Sequence, residues 1–425
     1  MSASASLRAA IGTARELLVI AFGWLFIWPV ARLMPRRRDR IVVIGRDEGK
    51  FVDNAKYFFL QASVDEHAIP RLVFLTERED VRDMLQARSF AAIVHPSATS
   101  IGLLLTAGIA VVDSTEWYLR WRRFLLGGAR VVQLWHGVGY KRIEIDKWSN
   151  EAASRGWMSK PPVAALRWLR RRLTGRLVTY AAVNTTSAFY RDRVFQPAFK
   201  SRHFTVVGYP RNTFGRLGTH VLRGSDLNVD AALLERLPSW RREGRRIVLV
   251  APTYRDSRAT ALGLDAEEIA KLDAAAAAQR IELVFKFHPL ERGAEAIRGE
   301  HLHLCAPESD LYPLMPHSDA LVTDYSSIYM DYLLLDKPVL FLVPDLDEYV
   351  RLDRQLQFDF DAMTPGTKVR TWPELLARLE EEWRNDVFAS ARATLAQTAF
   401  DGLPQDEAVP RLLDFMREQG WLAEA

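Results

Sequence analysis

The feature that most constrains the fold of this chain is a repeated alternation between short β-rich apolar runs and helical stretches, which begins after residue 40. Such an alternation is typical of parallel sheets whose strands are connected by helices. The strands predicted in the first half are Ile41–Gly45, Arg71–Thr76, Ala91–His95, Ile109–Asp113, Val131–Trp135, Val178–Val183 and Phe204–Gly208. Those predicted in the second half are Ile247–Thr253, Ile281–His288, Leu302–Ala306, Ala320–Thr323 and Val339–Val343.

The chain divides into two domains at a polar stretch, residues 216–230, that separates the two series of strands. A length of 425 residues suits two domains of about 200 residues each. We predict an α/β protein with a membrane-association segment at 1–40, a first domain at 41–220, and a second domain with C-terminal helices at 221–425. Two doubly wound domains in tandem create a cleft, and ligands of such folds bind at the carboxyl ends of the strands.

The net charge and the cysteine content of the chain exclude some classes of function and of structural site. The 57 basic residues against 53 acidic ones give a net charge of +4, which is too small to indicate a nucleic-acid partner. Cys305 is the one cysteine of the sequence, so neither an intrachain disulfide nor a thiolate metal cluster can form. This fits a reducing, cytoplasmic compartment.

The amino terminus carries an uncharged, aromatic-rich run from Leu17 to Ala31, followed by five arginines up to Arg40. A membrane-spanning helix needs about 20 apolar residues, and a signal peptide places its positive charge before the apolar run rather than after it. We therefore predict a helix in the membrane interface, with the arginines at anionic headgroups. The alternative is a buried helix that packs on the body of the protein.

A basic insertion interrupts the first domain between residue 141 and about residue 177. Within it, Leu166, Leu169 and Leu173 share one helical face, opposite a group of arginines at 167 and 170–172. The same pattern fits a solvated basic helix. Together with the N-terminal segment it predicts a peripheral protein at the cytoplasmic face of the membrane.

Three motifs end predicted strands with side chains suited to phosphate chemistry. Gln133-Leu-Trp-His-Gly137 offers His136, Ala251-Pro-Thr-Tyr-Arg-Asp256 offers Arg255, and Phe285-Lys-Phe-His-Pro-Leu290 offers His288. The donor fork of an arginine matches phosphate oxygens. Taken singly, each histidine could equally be structural and the arginine could pair with the neighbouring Asp256.

A fourth motif, residues 318–338, places an apolar strand, a hydroxyl-rich turn and a helix in series. Ser326 and Ser327 fall where the helix should begin, so their hydroxyls and the unpaired N–H groups of the first turn could bind a diphosphate. The alternative is that one serine only caps the helix.

Together the four motifs indicate phosphoryl transfer, in which catalysis is mostly positioning and charge neutralisation. One histidine could deprotonate an attacking hydroxyl while the other holds a phosphate oxygen. The sequence contains no Walker A pattern and no His/Cys spacing that demands a tightly held metal. We expect no tightly bound cofactor. The sequence does not decide whether a divalent cation binds loosely.

These motifs, with Gly208-Tyr-Pro-Arg-Asn212, make the chain resemble the CDP-glycerol glycerophosphotransferase family over roughly residues 41–400. The family comprises teichoic acid primases and polymerases and related capsule polymerases. The resemblance implies a GT-B fold, with the nucleotide held by the second domain. It also implies a peripheral membrane enzyme that transfers glycerol phosphate from CDP-glycerol to a hydroxyl of a lipid-linked acceptor and releases CMP.

The resemblance also assigns roles to residues. It implies His136 and His288 as catalytic residues, with His136 as general base, and Asp331 near the ribose. The diphosphate would be bound by Arg255, Thr323, Ser326 and Ser327, with Pro252 and Thr253 near the nucleotide. The acceptor side would be formed by Asn54, Gly137, Lys141 and Arg211.

Because the chain departs from the family pattern at several residues, the identity of the transferred polyol is not determined by the resemblance. Val138 and Gly139 follow the His-Gly pair where Thr-Pro is common, and Glu144 and Gln355 also differ from the usual residues. A CDP-ribitol-dependent transferase, a GT-B nucleotide-sugar glycosyltransferase and a catalytically silent scaffold are the alternatives. The presence of both His136 and His288 argues against the scaffold, and the oligomeric state is not indicated.

Overall fold

Two parallel β-sheets organise the chain, as the alternation predicts. This is a computed structural model, and it describes residues 18–64, 71–118, 122–154, 156–173, 177–216, 222–253, 264–289, 291, 293–346, 348–349 and 356–423. The strands of the first sheet are β1 (Arg37–Ile44), β2 (Arg71–Thr76), β3 (Ala92–Val94), β4 (Ala107–Val112), β5 (Arg130–Gln133), β6 (Thr179–Thr185) and β7 (Lys200–Val206). Those of the second are β8 (Arg246–Val250), β9 (Ile281–Phe285), β10 (Leu302–Leu304), β11 (Ala320–Thr323), β12 (Val339–Leu342) and β13 (Thr367–Val369).

Both sheets have a Rossmann-like strand order. The first runs β3-β2-β1-β4-β5-β6-β7 and the second runs β10-β9-β8-β11-β12-β13. In each, the chain moves outward from its first strand and then returns to continue on the other side, which opens a crevice at the carboxyl ends of the strands. The predicted fold class is confirmed, and each of the twelve predicted strands overlaps an observed one, whereas β13 was not predicted.

Helices connect these strands and cover both faces of each sheet. The α-helices are Trp28–Leu33, Asp53–Ala62, Glu79–Gln86, Ala98–Thr106, Arg122–Leu125, Glu144–Ser154, Pro161–Leu173, Ala188–Tyr190, Gln196–Ala198, Ala231–Arg242, Ala266–Ala278, Ile328–Tyr332, Phe360–Met363, Trp372–Arg384, Ala389–Phe400 and Ala408–Glu418. Along β1, Val42 and Ile44 face one apolar layer while Ile41 and Val43 face another, so this strand is buried on both sides.

The last helix, Ala408–Glu418, returns to the first sheet. Its residues Val409 and Leu412 pack in the same apolar layer as Ile41, and the amide of Ala423 donates to the carbonyl of Arg38. By sequence position this helix falls in the predicted second domain, and it returns to pack on the first sheet.

The N-terminal segment is helical from residue 18 to residue 33, with a π-helical part at Gly23–Ile27. Arg36, predicted to lie at lipid headgroups, instead donates to carbonyl oxygens of the protein body, including those of Leu104 at 2.6 Å and Ala31 at 2.7 Å. Burial lowers the pKa of Arg36 to about 10. Within the described residues, no helix has the length and apolar character needed to cross a bilayer.

Candidate active site

The turn after β5 is held by two side-chain amides. Trp135 adopts a left-handed backbone conformation, with φ of 61°, that is unfavourable for a bulky residue. The side-chain oxygen of Gln133 accepts from the amide of Trp135, and the side chain of Asn54 donates to its carbonyl, both at 2.9 Å. These contacts stabilise the strained conformation, so His136 is held in place at the cleft.

The environment of His136 keeps its imidazole neutral. Its Nδ1 lies 3.0 Å from the carbonyl oxygen of Asp113. Because a carbonyl only accepts hydrogen bonds, Nδ1 carries the proton and Nε2 is left with a lone pair. Burial, helped by the nearby Arg46, lowers the pKa of His136 to about 4. The side chain is therefore an unprotonated base at neutral pH.

A cavity of about 520 Å³ lies at the carboxyl ends of strands from both domains. It gathers nine of the thirteen predicted site residues, among them both histidines. These nine are Lys141, His136, Arg211, Pro252, Thr253, His288, Ser326, Ser327 and Asp331. The motif residues meet there because the carboxyl ends of parallel strands share one edge of each sheet.

The turn of the first domain that carries His136 lies next to the turn of the second domain that carries Ser326 and Ser327. A Cβ added to Gly137, whose φ is +154°, would lie 3.2 Å from the hydroxyl of Ser327. Ser327 makes no side-chain cap on the helix Ile328–Tyr332, and Ser326 accepts from Ile328 at a long 3.4 Å. Both serines line the cavity rather than act mainly as helix caps.

Arg211 joins the two domains through buried ion pairs. Its guanidinium lies 2.5 Å from Asp53 of the first domain and 2.6 Å from Asp331 of the second. Burial alone would lower the pKa of Arg211, but the two carboxylates outweigh it and hold the pKa well above its ordinary value. Asp331 also accepts from the hydroxyl of Tyr312 at 3.0 Å. In this arrangement Asp331 is a bridge between domains, and its contact with a ribose stays a prediction.

Four predicted residues do not line the 520 Å³ cavity; one of them, Gly137, lines a neighbouring cavity. Thr323 is buried, and its hydroxyl donates to the carbonyl of Ala251 at 2.7 Å. Asn54 is also buried; besides donating to the carbonyl of Trp135, it accepts from the amide of Arg211. Arg255 lies outside the described residues.

Several charged residues of the site were not predicted. Asp53 contacts both Arg211 and Arg46, and Asp113 is fully buried with its main-chain carbonyl against His136. Burial and the carboxylate of Asp53 raise the pKa of Asp113 well above its ordinary value. Asp113 ends a predicted strand and Arg46 directly follows another, so position at a strand end was the signal that could have identified them.

A second cavity, of about 440 Å³, lies next to the first. The two share His136, Lys141, Thr253 and Ser327, so the imidazole borders both spaces. Gly137 lines this second cavity. In the part of the chain that the structure describes, no group of three or more His, Cys, Asp or Glu residues is arranged to hold a metal ion.

Comparison with known proteins agrees with this geometry. The chain is 32% identical to the teichoic acid ribitol-phosphate primase of Bacillus spizizenii over 368 residues, which cover 84% of this chain and 86% of the primase. It is 26% identical to the teichoic acid poly(glycerol phosphate) polymerase of Bacillus subtilis over 270 residues, 59% of this chain but only 32% of that protein's length.

Among solved structures, the wall teichoic acid polymerase TagF aligns with a TM-score of 0.68 at 18% identity, over 97% of this chain and 96% of that one. This shows a common fold, two Rossmann-like domains in the GT-B arrangement. The sequence family described as CDP-glycerol:poly(glycerophosphate) glycerophosphotransferase matches residues 27–414. The chain therefore belongs to the CDP-glycerol:poly(glycerophosphate) glycerophosphotransferase family.

Proposed function

We propose that this protein transfers glycerol phosphate from CDP-glycerol to a hydroxyl of a lipid-linked acceptor or growing surface glycopolymer, and releases CMP. The observation that carries the proposal is the neutral imidazole of His136 at the junction of the two cavities. A base with a lone pair at Nε2, close to a cavity lined by serines and cations, suits a hydroxyl that attacks phosphorus.

In the proposed reaction, Nε2 of His136 accepts the proton of the acceptor hydroxyl as its oxygen attacks the glycerol-bearing phosphorus. A new P–O bond forms, and the bond from that phosphorus to the bridging oxygen breaks. CMP leaves with the electron pair, and the imidazolium then returns its proton to solvent. The protein contributes position and charge neutralisation, which dominate phosphoryl transfer.

The groups that would hold the diphosphate are Ser326, Ser327 and His288, with Arg255 as a further predicted contact. Several cations of the cavity already have protein partners. Lys286 donates to the carbonyls of Ala306, Pro307 and Ser309, which orders the loop at the cavity wall. The hydroxyls of Ser326 and Ser327 and the imidazole of His288 line the same cavity, and hydroxyl and imidazole groups can donate to phosphate oxygens.

CDP-ribitol is the second candidate donor, because the ribitol-phosphate primase is 32% identical over most of both chains. Purified protein with a lipid-linked acceptor should release CMP from one of the two CDP-polyols. The assay should be run with CDP-glycerol, CDP-ribitol and a UDP-sugar, with and without EDTA. Turnover of the UDP-sugar alone would refute the proposal, and loss of activity in EDTA would reveal a divalent cation.

Two helices support a peripheral position at the cytoplasmic face of the membrane. Their apolar surface comprises Leu18, Phe22, Leu25, Phe26, Val30 and Leu33 of the N-terminal helix, and Trp157, Leu166, Trp168, Leu169 and Leu173 of the insertion; all are exposed. The two elements meet where the indole of Trp24 and the guanidinium of Arg123 donate to the carbonyl of Leu173. A contiguous exposed apolar surface with basic residues beside it favours lipid binding.

Vesicle sedimentation tests this position. Deletion of residues 1–40 would remove Arg36 and part of β1, so point variants are preferable. Leu25→Glu combined with Leu166→Glu should release the protein from vesicles of phosphatidylcholine and phosphatidylglycerol. Val387→Glu is the matched control, since Val387 is exposed elsewhere. Equal sedimentation of all three proteins would refute the membrane proposal.

A further inference from the structure

Arg46 is a cation of the first domain that lines the 520 Å³ cavity together with His136 and His288. It follows strand β1 after a single residue, Gly45. We propose that Arg46 is a further catalytic residue, whose guanidinium binds the non-bridging oxygens of the transferred phosphate while the acceptor hydroxyl attacks. The inference rests on the proposed function and adds to it a charge-neutralising group from the first domain.

The loop after β1 has backbone conformations that fix the position of Arg46. Asp47 and Glu48 have φ of 49° and 65°, in the left-handed region that residues with side chains rarely adopt. The carbonyl of Arg46 accepts from the amides of Gly49 and Lys50, each at 3.0 Å. Unfavourable conformations of this kind persist where the surrounding structure determines them, and they are common at active sites.

The guanidinium of Arg46 has fewer protein partners than three other cations of the cavity. Arg211 lies between two carboxylates, Lys286 donates to three carbonyls, and the ammonium of Lys50 lies 2.9 Å from a carboxylate of the second domain. Nη1 of Arg46 lies 3.3 Å from Asp53, and its Nε is buried and has no hydrogen-bond partner among the described residues. A buried donor without a partner is unfavourable, and a phosphate oxygen would satisfy it.

The charge of Arg46 acts on both histidines of the cavity. Burial lowers the pKa of His136 to about 4, and Arg46 adds to this shift. Burial also lowers the pKa of His288; Asp47 opposes this shift, and the charges of Lys50 and Arg46 add to it. The attacked phosphorus must lie between these histidines in the proposed reaction, because one receives the proton of the attacking hydroxyl and the other holds the donor. The guanidinium is therefore close to the phosphate that is transferred.

A guanidinium at this position suits the charge that develops during the transfer. In the transition state of phosphoryl transfer, negative charge is spread over three equatorial oxygens. The N–H groups of an arginine match two of these oxygens, and donors that are already in place lower the barrier most. Burial alone would lower the pKa of Arg46, but nearby carboxylates, first that of Asp53, raise it above its ordinary value. Arg46 therefore donates hydrogen bonds as a cation and keeps its proton throughout the reaction.

Steady-state kinetics of CMP release separate a catalytic role of Arg46 from a structural one. With the CDP-polyol that the wild type uses, Arg46→Ala should lower kcat by at least about 100-fold and change KM for the donor by less than about threefold. Arg46→Lys should restore part of kcat, because it keeps the charge but not the planar fork. A purely structural role would instead lower Tm and reduce activity in proportion to the folded fraction.

Sulfur substitution in the donor tests for direct contact. The two diastereomers of the CDP-polyol that carry sulfur at a non-bridging position of the polyol-bearing phosphorus replace different oxygens. Sulfur accepts hydrogen bonds poorly, so replacing an oxygen that Arg46 contacts slows the wild type. For at least one diastereomer, this slowing should be about tenfold smaller in Arg46→Ala and Arg46→Lys, which lack the contact.

Arg82→Ala is the matched control, because Arg82 is 30% exposed against 34% for Arg46, lies 2.8 Å from Asp83 and lines neither cavity. Its kcat and its response to sulfur should equal those of the wild type. If Arg46→Ala melts well below the wild type, Arg46→Lys decides, since it keeps a positive charge beside Asp53.

Two results would overturn the inference while the transferase function stands: wild-type kcat in the folded Arg46 variants, or a response to sulfur that is the same in these variants as in the wild type. If the wild type releases CMP from neither CDP-glycerol nor CDP-ribitol, the proposed function fails and the inference fails with it.

Discussion

The Nδ1 atom of His136 lies 3.0 Å from the main-chain carbonyl oxygen of Asp113. The two residues follow the neighbouring strands β5 and β4, which pair in parallel register. The acceptor in this contact is thus a main-chain carbonyl positioned by the sheet rather than a side chain. It fixes the tautomer that leaves Nε2 available as a base.

The pH dependence of activity should reflect the low pKa of His136. An ordinary histidine would be protonated below about pH 6.5. Because the pKa of His136 is lowered to about 4, the base stays unprotonated through mildly acidic pH. We expect kcat/KM for CMP release to stay nearly constant from pH 8 down to about pH 5.5. An acidic limb centred near pH 6.5 would contradict the structure.

The stability of the protein should respond to the buried carboxyl of Asp113. Its folded-state pKa is raised by burial and by Asp53, so the folded protein retains a proton that the unfolded chain loses above about pH 4. The contribution of the Asp113 carboxyl to the free energy of unfolding is therefore greatest at low pH. It is lost as the pH rises to the folded-state pKa. Asp113→Asn, which mimics the neutral acid, should raise Tm more at pH 8 than at pH 5. Equal shifts at both pH values would show that Asp113 is ionised in the folded protein.

Asn54→Ala should lower activity by loosening the turn that carries His136. The variant leaves the carbonyl of Trp135 and the amide of Arg211 without their buried partner. We expect a loss of about 1–3 kcal/mol in the free energy of unfolding and at least a tenfold fall in kcat, with a smaller change in KM for the donor. Gln405→Ala is the control, because that side chain donates to the nearby carbonyl of Leu403 and lines neither cavity. A variant with normal kcat would show that the turn does not need this support.

Lys56→Met should destabilise the contact between the domains. The ammonium of Lys56 lies 2.8 Å from the carboxylate of Asp310, and their side chains are 0% and 2% exposed. Removal of one partner leaves a buried charge unpaired, which costs about 3–5 kcal/mol in the free energy of unfolding. Urea denaturation measures this loss. Adding Asp310→Asn should recover part of it, and a double variant less stable than Lys56→Met would contradict the explanation.

The fold was largely predictable because apolar runs mark buried parallel strands directly. The exception, β13, has three residues, of which only Val369 is buried, so its sequence carries almost no apolar signal. The site was predictable to the extent that its residues follow strands. His136, Ser326 and Ser327 meet in the cleft for that reason.

The roles of Asn54 and Arg211 could not be predicted from sequence. Asn54 binds a carbonyl that is oriented by the left-handed conformation of Trp135, and sequence gives no sign of that conformation. Arg211 and Asp331 are 120 residues apart and meet only when both domains are folded and in contact. Backbone geometry and interdomain contacts therefore decide which motif residues face a ligand and which support the structure.

CMP release from CDP-glycerol by His136→Gln is the sharpest test of the proposed function. Glutamine keeps a side-chain amide that can donate to the Asp113 carbonyl but supplies no base. We expect a fall in kcat of at least about 100-fold, with KM for CDP-glycerol and Tm close to those of the wild type. A variant that retains full CMP release would contradict the role of His136 as the general base.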